Sequence, residues 1–201
     1  MKKLIIICSI LSIITIVINL NIDVIARTSI FKSEKQQYQF KNKYIKIKTS
    51  RQLLTLINND AINTFGKKYF TKYKLAQSIK TIVQNSENPI LFYAIAKRET
   101  QLNNDKISSS KAVSIFQIHP INSSYLIKRG IINSFEELKF DQLKALKSAE
   151  IIFNNMKIRY NTTDLELLLY AYSGYIKQKR RGHKYVTDIL KTYACLQYKY
   201  N

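Results

Sequence analysis

The sequence predicts an all-α domain behind an apolar N-terminal segment. Apolar residues recur at helical spacing in successive stretches after Ser50, and no stretch there alternates as a strand does. Only four Gly and two Pro interrupt 201 residues, so long helices meet few breakers. Residues 51–201 are enough for one domain with a real core.

The elements follow in chain order. Met1-Lys2-Lys3 and then the apolar run Leu4 to Leu20 have the layout of an export signal, with Val24-Ile25-Ala26 suited to cleavage before Arg27. The run is also close to the length of a membrane anchor. Residues 1–26 are therefore expected to be a signal peptide or an inner-membrane anchor, leaving the rest exported to the periplasm or cell envelope. Residues 27–50 are polar and basic without a period and read as a tether. Leu53, Leu54, Ile57 and Ile62 predict a first helix ending near Gly66, and Leu75, Ile79, Ile82 and Val83 a second ending at Asn85-Ser86. Asn88-Pro89 opens a third, with Asn at the cap and Pro where its missing N–H costs nothing. Ser134-Phe135-Glu136-Glu137 and Thr163-Asp164-Leu165-Glu166 read as capping boxes. The first leads a helix, from Phe135 or from near Asp141, towards Tyr160, and the second one through Tyr172. Tyr185, Ile189 and Tyr193 predict the last helix.

Charge and cysteine content narrow the function. The net charge of +20 fits a polyanionic partner: nucleic acid, anionic lipid or an acidic wall polymer. An export signal argues against nucleic acid, which is not expected as a partner. Cys8 lies in the apolar run, so Cys195 has no internal bridge to make. His119 and His183 lack companions at metal-ligand spacing, and neither a metal nor a cofactor is expected.

The third helix carries the chemistry. At about 100° per residue, Leu91, Phe92, Ile95 and Leu102 share one side, Glu99 falls among them, and Tyr93, Lys97 and Thr100 point elsewhere. A carboxylate inside an apolar arc is poorly solvated when ionised, so its pKa rises, as a general acid requires. The plainer reading is a half-exposed Glu satisfied by Lys97 or Arg98.

The text after Glu99 separates these readings. Glu99-Thr100-Gln101-Leu102, then Ser108, then Lys111-Ala112-Val113-Ser114-Ile115-Phe116-Gln117-Ile118-His119-Pro120 resembles the lytic transglycosylase domain of the soluble-transglycosylase type. That family has Glu-Ser-x-Phe, a Ser, and then Gly-Ala-x-Gly-Leu-Met-Gln-Ile-x-Pro. The resemblance continues through Ala171-Tyr172-Ser173 and Tyr185-Val186. It implies a compact lysozyme-like helical fold and peptidoglycan glycan strands as substrate. It also implies cleavage of the bond between N-acetylmuramic acid and N-acetylglucosamine, with closure of a 1,6-anhydro ring. Residue by residue, Glu99 is implied as acid and then base, and Thr100 as a hydroxyl near it. Ser108 is implied as a further substrate-side hydroxyl, and Gln117 as a hydrogen bonder to glycan or peptide stem. Tyr172 is implied as cleft wall and Tyr185 as a group that places Glu99.

Three departures stand out. Lys111 and Ser114 occupy the two glycine positions of the second motif, and Ser173 occupies that of an amide that would contact substrate. The short basic segment Lys177 to Arg181 resembles specialised family members of envelope-spanning machines. Two other readings stay open: a lysozyme-type muramidase, and a weakened module that binds peptidoglycan without cutting it.

Overall fold

The structure, a computed structural model, describes residues 50–72 and 75–200, which belong to one compact unit. Residues 1–26, with the expected signal or anchor, and 27–49 of the basic tether lie outside the described residues. Eight α-helices follow: α1 Ser50–Phe65, α2 Lys67–Lys72, α3 Leu75–Asn85, α4 Pro89–Thr100, α5 Ser123–Lys128, α6 Gln142–Arg159, α7 Leu165–Tyr172 and α8 Lys179–Tyr200. Short 3-10 turns lie at Pro120–Asn122 and Phe135–Lys139. Among the described residues the only extended pairing is an isolated bridge between Val113 and Ile118. The helices α2 and α5, six residues each, carry too little periodicity to be predicted.

Helix α4 is the centre of the domain. It packs chiefly against α8 and also against α3, while α3 lies on α1 and α6. Ile90, Leu91, Phe92, Tyr93, Ala94, Ile95, Ala96 and Thr100 are all buried. This corrects the one-sided stripe: Tyr93 and Thr100, expected to point away from the core, are enclosed as well. A helix apolar nearly all round belongs inside a domain. The one cation of its last turn that faces α1, Lys97, sits 2.6 Å from Asp60 Oδ2, which also accepts a 2.7 Å hydrogen bond from the Tyr93 hydroxyl. Phe92 packs edge-on against both Phe116 and Phe153, with ring centroids 6.1 and 5.9 Å apart, an arrangement aromatic rings favour.

The start of α4 is fixed as its sequence predicts. Asn88 Oδ1 accepts from the Leu91 amide at 3.2 Å, and Pro89 takes the first turn. Glu150 of α6 reaches the preceding turn, accepting from the Ser86 hydroxyl at 2.7 Å and the Glu87 amide at 2.9 Å. The helix closes at Gln101, whose φ of 57° is left-handed, and the Leu102 amide reaches back to the Ala96 carbonyl. Leu102 is therefore past the helix, with φ 63°, yet fully buried.

Both expected capping boxes form differently. Ser134 makes no side-chain cap bond. The Glu137 carboxylate instead accepts from the Asn133 amide at 3.2 Å and from Lys144 Nζ at 2.6 Å. The segment stays a 3-10 turn, and Asp141 caps the long helix by accepting from the Lys144 amide at 2.9 Å. Helix α7 is capped by Asp164 rather than Thr163, with Asp164 Oδ1 accepting from the Leu167 amide at 3.2 Å. A carboxylate next to a hydroxyl wins such a site because it faces the positive end of the helix dipole.

Replacing Asn88 by Ala removes the cap that starts the central helix. Stability measured by urea unfolding is expected to fall by about 1 kcal/mol with the m-value unchanged.

Candidate active site

Glu99 lies one residue before the end of α4 and is half-buried. Its Oε1 accepts a 2.6 Å hydrogen bond from the Tyr185 hydroxyl of α8, and among the described residues no group bonds Oε2. Burial pushes its carboxyl above the ordinary pKa of 4.5. The Tyr185 bond and the charges of Arg98 and Lys106 pull the other way without cancelling it. The carbonyl end of α4 is the negative end of its dipole and acts in the same direction as burial. The phenols of Tyr185 and Tyr172 are pushed well up, first by burial and then by the negative Glu99 beside them. Both therefore remain protonated donors across the neutral range.

The two cations closest in sequence are directed away from the carboxylate. Lys97 pairs with Asp60, as described above. Arg98 stacks its guanidinium over the Tyr185 ring, 5.4 Å from the centroid. Its Nε lies 3.1 Å from Asp188 Oδ2, an ion pair angled too poorly to be a hydrogen bond. Lys106 Nζ donates to the main-chain carbonyl of Glu99 at 3.3 Å. The plainer expectation, a Glu neutralised by Lys97 or Arg98, is not what forms.

The 103–118 segment is held against this end of α4 by its own backbone. Val113 and Ile118 exchange two main-chain hydrogen bonds of 3.1 and 2.8 Å. Ser108 accepts from the Ala112 amide through its hydroxyl at 2.9 Å and from the Lys111 amide through its carbonyl at 2.9 Å. Val113, Ile115, Phe116 and Ile118 are buried. Lys111, Ser114 and Gln117 have φ of 62°, 68° and 50°, the left-handed region that ordinary side chains rarely adopt. The two expected glycine positions thus require glycine-like backbone, and Lys and Ser adopt it.

The expected site residues divide into two groups. Tyr185 meets the Glu99 carboxylate through its hydroxyl. Gln117 is half-buried, and its Nε2 donates to the carbonyls of Lys106 at 2.9 Å and Ser114 at 3.1 Å. It therefore braces the loop with its NH2 and has only Oε1 left to offer. Tyr172 packs its ring 6.1 Å from Phe153 and donates to the Phe116 carbonyl at 3.0 Å, tying α7 to the loop.

The three hydroxyls each make hydrogen bonds within the protein. Thr100 is 2% exposed, with Oγ1 donating to the Ala96 and Ile115 carbonyls at 3.4 and 3.2 Å. Ser173 donates to the Tyr170 carbonyl at 3.0 Å. Ser108 is committed to the loop turn and to Ser110, 2.9 Å away. A residue type shows that a hydroxyl is present; the direction it takes is set by the nearest unsatisfied carbonyl or amide. Sequence reasoning missed Asp188 as a partner of this site. Its spacing three residues after Tyr185, on the same face of a helix, was the available signal.

The fold and site define an all-helical domain with a half-buried carboxylic acid under a tyrosine at the end of its central helix. Comparison with protein families is more specific: the model of the transglycosylase SLT domain matches residues 77–192. The chain belongs to that family, whose members are peptidoglycan lytic transglycosylases, lyases of glycosidic bonds. The match begins in α3 and ends in α8, so it includes every residue of the site. No curated protein and no solved structure matches the chain.

Two outcomes follow from this geometry. A group whose folded pKa is raised contributes stability that is complete below its unfolded pKa and is lost as pH rises through the folded value. Replacing Glu99 by Gln removes that loss. The melting temperature of the variant is expected to exceed the wild type's by more at pH 8 than at pH 4, read by calorimetry at both. Replacing Lys111 by Gly relieves a left-handed backbone and is expected to add about 1 kcal/mol in urea unfolding.

Proposed function

We propose that Glu99 is the single general acid and base of a peptidoglycan lytic transglycosylase reaction. Breaking a glycosidic bond requires a proton on the leaving oxygen and stabilisation of an oxocarbenium-like centre. Glu99, protonated on Oε2, delivers that proton to the oxygen between N-acetylmuramic acid and N-acetylglucosamine. As a carboxylate it then accepts the proton of the muramic 6-hydroxyl, which closes onto the anomeric carbon as a 1,6-anhydro ring. An internal nucleophile has a high effective concentration, so no second carboxylate is needed to activate water. Tyr185 fixes Oε1, stabilises the carboxylate between the two proton transfers and keeps the other oxygen towards the bond.

The observation that carries the proposal is the Tyr185–Glu99 hydrogen bond on a carboxyl whose pKa burial has raised. The arrangement of other acids supports it. Asp188 is held by Arg98, and Asp105 is exposed on the polar turn after α4. The backbone at Lys111 and Ser114 supports cutting over binding alone, since the loop keeps its left-handed turns without the expected glycines. Export, with residues 1–26 cleaved or retained as an inner-membrane anchor, completes the reading. It brings a chain of net charge +20 to the anionic cell wall. The basic stretch Lys177 to Arg181, exposed apart from the half-buried side of Ile176 that precedes it, suits recruitment to an envelope-spanning assembly.

Digestion of purified cell walls with the full-length chain is expected to release muropeptides with anhydro ends, identified by mass spectrometry. Glu99→Gln is expected to lower release at least a hundredfold, since general acid catalysis contributes about that much or more. Reducing ends in place of anhydro ends would make the protein a muramidase. Sedimentation with walls and no fragments would make it a binding module.

A further inference from the structure

We propose that Asp188 is a positioning residue that keeps the Arg98 guanidinium over the Tyr185 ring and out of direct contact with the catalytic acid. The proposal rests on the reading of Glu99 as the acid.

Successive residues of a helix do not face each other, but Arg98 lies over the ring whose hydroxyl bonds Glu99, and a guanidinium that reaches a carboxylate forms a bidentate ion pair readily. Such a pair stabilises the ionised carboxylate and lowers its pKa by about one to three units. It would undo the protonated state that burial favours. In the structure the guanidinium is held elsewhere by two groups of α8. The Tyr185 face lies 5.4 Å from Arg98 Cζ, a cation–π distance. Asp188 Oδ2 lies 3.1 Å from Arg98 Nε. Tyr185 and Asp188 are three residues apart on one helix and so share a face. A single face of α8 therefore gives its hydroxyl to the acid, its ring to the cation and its carboxylate to the same cation.

The other groups around Glu99 do not perform this task. On its own helix, Lys97 is engaged by Asp60 of α1. From the loop, Lys106 bonds the Glu99 main chain rather than its carboxylate. From α7, Tyr172 is half-buried and donates to the Phe116 carbonyl. Asp188 is the carboxylate that competes with Glu99 for Arg98. Loss of its charge leaves Glu99 as the adjacent partner.

The test is to titrate the Glu99 side-chain carboxyl by carbon-detected NMR in the full-length protein, for wild type, Asp188→Asn, Arg98→Gln and the double variant. Asp188→Asn is expected to lower the Glu99 pKa by about one unit or more, a tenfold smaller protonated fraction at higher pH. The double variant is expected to return it to the wild-type value or above. The upper limb of the pH–rate profile for fragment release is expected to move with it. Asp188→Ser carries the same expectation and serves if the Asn variant does not fold. An unmoved Glu99 pKa in the Asp188 variants, or a fall that survives in the double variant, overturns the proposal and makes the ion pair a staple between α4 and α8. The two readings fail separately. A pKa that moves as expected in a protein releasing no anhydro fragments sinks the proposed reaction. Anhydro fragments from a protein whose Glu99 pKa does not respond sink only the role of Asp188.

Discussion

The hydrogen bond from Tyr185 to Glu99 joins residues 86 positions apart, and the rest of the domain is arranged so that it can form. It requires the end of α4 and the middle of α8 to meet within a hydroxyl's reach. The position of α4 is fixed at its start by the Asn88 cap and by Glu150 reaching across from α6. Along its length it is fixed by the edge-on rings of Phe92, Phe116 and Phe153. The position of α8 follows from packing along α4. Gly182 marks how closely its start approaches the end of α7: a Cβ there would stand 2.7 Å from the Tyr175 Cβ and 3.0 Å from the Tyr170 ring. A side chain at that point would lever the helix outward and carry Tyr185 with it.

Desolvation at the acid is opposed by three nearby attractions, and their placement decides the balance. Arg98 and Lys106 are both near enough to stabilise the ionised form of Glu99. Neither makes a direct contact with the carboxylate, because Asp188 holds one and a main-chain carbonyl the other. A strongly basic protein thus keeps its acid poorly solvated without surrounding it with carboxylates. Positive charge is abundant in this chain, and its direction matters more than its amount.

The sequence is most legible where physics is local. Helices α1, α3, α4 and α6 follow from apolar spacing and from breakers such as Gly66 and Pro89. The apolar arc around Glu99 left two readings open, and the ordered run of motif residues after it was what separated them. Partners set by long-range geometry were not legible from the residues themselves, and Tyr185 was placed near Glu99 only through the family resemblance. Thr100 and Ser173 display hydroxyls in the sequence, but the carbonyls that take them, Ile115 and Tyr170, become neighbours only after folding. The capping boxes failed for a related reason. Glu137 found Asn133 and Lys144, and Asp164 stood one residue closer to its helix than Thr163. Tyr93 and Thr100 were misjudged because a stripe shows which side is apolar, while a central helix is covered on every side.

The left-handed residues at 111, 114 and 117 reach beyond the loop itself. A free peptide with this sequence would avoid that shape, because Lys, Ser and Gln each favour other backbone angles. The shape exists because Phe116 is locked against Phe92 and its carbonyl is held by Tyr172. The loop's backbone thus depends on contacts from both α4 and α7. The loop therefore holds no form of its own, and its three turns last only as long as those two anchors do.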